Sequence, residues 1–241
     1  IQSDTTPSTF RKYANNLNSL VKHNIIKVSP EQKELIKNFF IDTKEQFDKN
    51  FEPKRRDPQE PSAKHELNTL RSKLDEIKDP SDKLLIALYT QVPPLRSDYA
   101  DILIVKTDAE VDDPEQNYFV IADNLLILNK YKRMNFKDNL PQETKVFDLS
   151  PIKKYIGESL QAYPRDYLFS NKSLMPYNPN TFTKYVQTVF SKYYPDKVYT
   201  INSLRHLYAT AHKHLSTKEI EKIASGMNHS YKTHIKLYED R

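Results

Sequence analysis

The chain of 241 residues contains no cysteine, which excludes disulfides, thiolate metal sites and a cysteine nucleophile together and is compatible with a reducing, intracellular compartment. It has no apolar run approaching the roughly 18 to 20 residues that cross a bilayer, and Ile1 to Leu20 lacks the apolar stretch of a secretion signal. Neither membrane contact nor export is expected. Glycine occurs only 2 times, and there is no internal repeat and no low-complexity tract. His212 and His214 have no third ligand near them in the sequence, so no metal site is expected.

What is present is material for a folded core. Charged residues make up 29% and mean hydropathy is -0.77, but 37% of the chain is hydrophobic, with 16 Tyr and 11 Phe. That suffices for one large domain or two small ones. The net charge of +5 is unevenly spread. Lys130 to Arg241 holds 19 Lys and Arg against 10 Asp and Glu, whereas the preceding residues hold 18 against 22. A basic C-terminal half suits a phosphate-binding surface, and equally suits solvated helix faces with spare lysines.

Patterning divides the chain in two. Phe10, Tyr13, Leu17, Leu20 and Val21 recur at helical spacing, and Pro30 opens a second helix with Leu35, Ile36, Phe39 and Phe40 on one side. Two helices bury little by themselves. The stretch FEPKRRDPQEPSA, with Pro53, Pro58 and Pro61 among alternating charges, reads as a linker, giving a short helical segment with its linker over 1–62 and a larger domain over 63–241. In the larger domain Leu67, Leu70 and Leu74 mark a helix, and Ser81 and Asp82 offer a cap for LLIALYTQ, which Pro93 and Pro94 stop. DILIVKT (101–107), YFVIA (118–122), LLILN (125–129) and TKVFDL (144–149) then read as a small antiparallel sheet. Helices follow from Pro151 to about Gln161, over Thr181 to Tyr193, along Leu204, Leu207, Tyr208 and Ala211, and after Ser216 and Glu219, a capping-box pair. Gly226 stands where the last of these should end. The fold class is therefore mixed α+β, mainly helical, with helices around a small sheet.

The chemistry concentrates near the C-terminus. TINSLRHLYATAHKHL carries Arg205, SGMNHSYKTHIKLYED carries His229, and Tyr238 lies nine positions beyond that histidine. Two of these types suit a phosphodiester: a guanidinium holds non-bridging oxygens with forked donors, and an imidazole accepts or passes a proton. A phenol with a pKa near ~10 attacks only if its charge is offset as it develops. Taken singly, each has a plainer role: Arg205 as a salt-bridging helix residue, His229 as a helix terminator, Tyr238 as an amphipathic tail residue beside Ile235 and Leu237.

LRHLYAT followed by MNHSYKTHIKLY resembles the closing boxes of the tyrosine recombinases, the phage-integrase family, over roughly Ala63 to Arg241. The wording of PPLRSDY and NKYK is also similar to recombinases of large DNA viruses and virophage-like elements, for which nucleus, cytoplasm and viral factory are equally open locations. The resemblance implies a further arginine after a helix and before the sheet, matched by Arg96 with Asp98 in PPLRSDYADI. It implies a lysine on the hairpin between the second and third strands, for which LNKYKRMNF offers Lys132, with Lys130 as the alternative. Catalytic Arg96, Lys132, Arg205, His229 and Tyr238 would then cleave DNA through a 3'-phosphotyrosine. No metal, nucleotide cofactor or small-molecule substrate is implied, and the expected partner is double-stranded DNA, bound by a homo-tetramer assembled on it.

Three positions depart from the family pattern. Asn202 stands where histidine or lysine is usual, so it can serve only as an auxiliary hydrogen-bond donor. Pro94 and Asn228 replace glycines before Leu95-Arg96 and before His229. The N-terminal segment, with 11 Lys and Arg against 9 Asp and Glu over 1–62, is short for a full DNA clamp, part of which is expected to be missing from this chain. A type IB topoisomerase would use much the same residues, and a non-catalytic DNA-binding protein could keep the fold; the Gly-His-Ser-like segment and the nine-residue interval favour the recombinase.

Overall fold

The computed structural model of the chain describes residues 7–50, 61–131, 143–229 and 231. It forms two compact units, Ile1–Arg55 and Arg56–Arg241. In the first, α1 (Pro7–Lys22) pairs with α2 (Pro30–Asn50). Pro30 sits at the start of α2, and Ser29 and Gln32 cap it by exchanging side chain-to-backbone hydrogen bonds. Phe10 meets Phe39 edge-on at 5.4 Å. Ala14 and Val21 are buried, but Tyr13 and Leu35 stay 62% and 71% exposed, so this pair buries as little as its length implies.

The second unit is built around one helix that is apolar on all sides. Its α3 (Ala63–Ser72) begins at the Ser62 cap, and Leu74 falls in the short 3-10 turn after it. The next helix, α4 (Pro80–Thr90), is capped by Asp79, whose carboxylate accepts from the backbone N–H groups of Ser81 and Asp82. The cap is thus Asp79, with Pro80 at the first helical position, and not the Ser81 and Asp82 expected from the sequence. Leu84 to Thr90 are all fully buried, as a helix hydrophobic all round must be. Packed against α4 are α3, α5 (Lys153–Ala162), α6 (Pro179–Tyr193) and α7 (Ile201–Ala211). The last described helix, α8 (Thr217–Gly226), starts with the expected Ser216–Glu219 capping box.

Between α4 and α5 lies a four-stranded sheet in the order β1 (Ile102–Val105), β2 (Asn117–Val120), β3 (Leu125–Leu128), β4 (Lys145–Asp148). The expectation of an antiparallel sheet needs correction: β2–β3 and β3–β4 are antiparallel, but β1 runs parallel to β2. The reason lies in the connection. Lys106 to Gln116 is long enough to return the chain to the starting end of β1, and it is tied there by Gln116 Nε2 donating to Asp101 O at 2.6 Å and Tyr118 Oη donating to Asp112 Oδ1 at 3.2 Å. Strand alternation carries no information about this direction. One sheet face gives Ile102, Phe119, Leu126 and Leu128 to the main core, and the other forms a small cluster around Val105, Tyr118 and Val120. No described helix is long and apolar enough to cross a membrane.

Candidate active site

Arg205 comes from the buried side of α7. Thr200 and Ser203 cap that helix reciprocally, and Ile201, Leu204, Leu207 and Tyr208 seat it in the core. The helical register carries the Arg205 guanidinium inward with them, leaving the residue only 2% exposed. Burying a charge demands hydrogen-bond partners, and three are supplied by segments distant in sequence. Nη1 donates to Pro94 O, and Nη2 donates to Met227 O at 2.9 Å and contacts His229 Nε2.

His229 is delivered by the way α8 ends. Gly226 closes the helix, but not as a left-handed cap. A Cβ at Gly226 would lie 2.8 Å from Pro93 Cβ and 2.9 Å from its Cγ, so glycine is needed for close approach to the loop after α4. The left-handed residue is Asn228, with φ 55°. Asn tolerates this conformation better than most side chains, which accounts for an asparagine where the resemblance expects glycine. The turn is closed by Asn228 N–H donating to Ser225 O and His229 N–H donating to Ala224 O, at 2.9 and 2.8 Å. His229 is 7% exposed. A guanidinium only donates, so the ring nitrogen facing Arg205 is an acceptor, and the imidazole is assigned as neutral with its proton on Nδ1.

Arg96 sits on the loop between α4 and β1, and that loop is pinned at four points. Tyr89 Oη from the core helix donates to Arg96 O at 2.9 Å, Arg96 N–H donates to Asp98 Oδ2 at 3.1 Å, Leu95 N–H donates to Tyr99 Oη at 3.3 Å, and Pro94 O receives Arg205. Burial pushes the Asp98 carboxyl above its ordinary range, while the Arg96 N–H and the positive charges of Arg205 and Arg96 pull it back. Both guanidinium groups therefore act on one carboxylate. Burial likewise raises the Tyr89 and Tyr99 phenols, so they serve as neutral hydrogen-bonding groups.

The structure thus brings together the Arg96 loop, Arg205 and His229. Asn202 is exposed one turn ahead of Arg205 on α7. Lys132 and Tyr238 lie outside the described residues. The lysine expectation also needs a correction of position: the β2–β3 connection is Ile121 to Asn124 and contains no lysine, whereas Lys130 and Lys132 follow β3. Lys130 is exposed, and its backbone N–H and C=O are both bound by the Asn117 side chain at 2.8 Å. Among the described residues, a lysine that touches the His229 turn is Lys145, at the start of β4, whose Nζ donates to Asn228 Oδ1 at 2.6 Å. Sequence reasoning placed Lys145 inside a strand and gave it no role.

Two other histidines of this region, His212 and His214, are a packing group and a surface group. His212 lies against Tyr208, with Nδ1 at 2.6 Å from Tyr208 O, and burial with the charges of Arg71 and Lys64 lowers its pKa despite that contact. His214 is exposed. Among the described residues, no group of His, Cys, Asp and Glu side chains could hold a metal ion.

No protein-family model and no curated protein matches the chain. Solved structures similar to it include these two. A crystal structure of XerA recombinase aligns over 98% of this chain and 78% of its own, at 17% identity and a TM-score of 0.47. A crystal structure of a lambda integrase dimer bound to a COC' core site aligns over 100% of this chain and 82% of its own, at 11% identity and a TM-score of 0.45.

Proposed function

We propose that the chain is a site-specific DNA recombinase or integrase that cleaves and rejoins strands through a 3'-phosphotyrosine intermediate. The observation that carries this reading is the direct contact of Arg205 with His229, made at the point where Arg205 also grips the loop bearing Arg96. Two arginines and an imidazole with a lone pair on Nε2 are the groups that attack on a phosphodiester needs. Tyr238 Oη forms a bond to phosphorus as the bond from phosphorus to the 5'-oxygen breaks. Arg96 and Arg205 offset the negative charge that builds on the non-bridging oxygens. His229 Nε2 turns its lone pair from Arg205 to the phenol, accepts the phenolic proton and, once protonated, donates to the phosphate; Asn202 adds a hydrogen bond, and Lys132, or Lys130, gives a proton to the departing 5'-oxygen. A 5'-hydroxyl then reverses the step and displaces Tyr238. The substrate is double-stranded DNA, and exchange between two duplexes calls for four protomers assembled on it.

A second reading rests on the burial of Arg205. A guanidinium 2% exposed and bonded to two backbone carbonyls also suits a structural staple in a DNA-binding protein that kept the fold without the chemistry. Incubation with a nicked duplex that traps the cleaved strand separates the two. The native chain forms a covalent DNA adduct, and Tyr238→Phe binds the duplex without forming one. Absence of an adduct from the native chain removes the catalytic reading and its type IB topoisomerase variant together. Relaxation of supercoiled plasmid by monomers, without exchange between two sites, selects the topoisomerase.

A further inference from the structure

The Lys145–Asn228 contact joins the edge of the sheet to the turn that presents His229. Lys145 is placed by the sheet: it opens β4, pairs with Leu128, and is half-buried. Its ammonium lies 5.0 Å from the centre of the Tyr131 ring, and Tyr131 Oη donates to Glu143 O at 2.9 Å, which ties that ring to the approach to β4. The ammonium's bond to Asn228 Oδ1, at 2.6 Å, is charge-assisted and spans 83 positions of sequence. Asn228 is the left-handed residue of the turn and precedes His229 directly. Glycine at that position would take the same φ but offer no side chain to hold.

We propose that Lys145 is a positioning residue for His229: it grips the Asn228 amide, fixes the left-handed turn, and so keeps His229 Nε2 facing Arg205. This rests on the reading of the site given above. A glycine turn is free to rock, whereas this turn is held from the sheet side by Lys145 and from the helix side by Arg205, which bonds Met227 O. The imidazole is the part of the site that both grips constrain.

The test is a double-mutant cycle with two readouts. In single-turnover cleavage of a trapping duplex, Lys145→Met slows adduct formation about ten- to a hundredfold in the native background, the range for losing one charge-assisted hydrogen bond. In the Asn228→Gly background the same replacement costs less than about twofold, because the group it acts through is gone. An equal loss in both backgrounds overturns the proposal and assigns Lys145 to the DNA directly. The second readout needs no DNA. In the native protein the ring 15N signals of His229 report an acceptor Nε2 and a protonated Nδ1; Lys145→Met and Asn228→Gly both move them toward tautomer-averaged positions, and Lys145→Arg, which keeps a donor, moves them back. Unchanged signals in Lys145→Met overturn the proposal. If the native chain forms no adduct, the catalytic reading fails by itself, and the His229 spectrum still decides the role of Lys145.

Discussion

Arg205 Nη2 is shared between Met227 O and His229 Nε2, so the cation of α7 and the imidazole after α8 hold one another in place. Arg205→Lys therefore tests structure and chemistry at once. One ammonium on a shorter reach cannot serve Pro94 O, Met227 O and His229 together, and buried acceptors left without donors cost about 1 to 3 kcal/mol each. The variant is expected to unfold at lower urea, by about 2 to 4 kcal/mol, and to form adduct at least about a hundredfold more slowly. Urea unfolding and single-turnover cleavage measure the two effects separately. Near-native cleavage by a folded Arg205→Lys protein would remove Arg205 from the phosphate.

The sequence carried the parts of this site that depend on local pattern. Arg205 and His229 were visible because each sits in a short segment with a recognisable neighbour spacing, and the helices that bear them announce themselves through apolar periodicity and the Ser216–Glu219 box. The parts that depend on distant contacts were hidden. Nothing local reveals that β1 runs parallel to β2, since that is decided by how Gln116 and Tyr118 fasten the connection. Gly226 looked like a helix stop, yet it is required by Pro93, which lies far away in sequence. Lys145 was one lysine among many until the sheet placed it on Asn228.

Asp98 makes stability depend on pH in a stated direction. Burial raises its folded-state pKa above the unfolded value, outweighing the pull of the Arg96 N–H and the two arginine charges. For an acid shifted upward, the contribution to stability is full below the unfolded pKa of about 3.9 and is lost as pH rises through the folded value. Asp98→Asn keeps an oxygen able to accept from Arg96 N–H but never ionises. Its melting temperature should match the native one near about pH 4 and rise above it as pH increases toward about 7. Thermal unfolding of both proteins across that range checks this. A gap that narrows with rising pH would mean that the arginine charges, not burial, control the carboxylate.

The two glycines should respond to alanine with opposite signs. Gly157 lies on the exposed side of α5, and a Cβ there meets nothing within 4 Å. Gly157→Ala gains helix propensity alone, about 0.5 to 1 kcal/mol. At Gly226 the same gain is smaller, because the residue closes its helix, and it is opposed by a methyl placed 2.8 Å from Pro93 Cβ. Pro93 is a ring on a loop already tied down at Pro94, Leu95 and Arg96, so relief requires moving that loop, at an overpacking cost of about 1 to 3 kcal/mol. A cavity of ≈ 320 Å³ lined by Pro93, Leu95, Tyr99 and Gly226 among others gives the ring somewhere to go. That displacement draws Pro94 O away from Arg205. Gly226→Ala should therefore lose more in cleavage rate than in stability, whereas Gly157→Ala should raise the urea midpoint at unchanged slope and leave cleavage alone. Equal stabilisation by both replacements would show that the loop yields freely, and that the grip of Arg205 on Pro94 does not position the site.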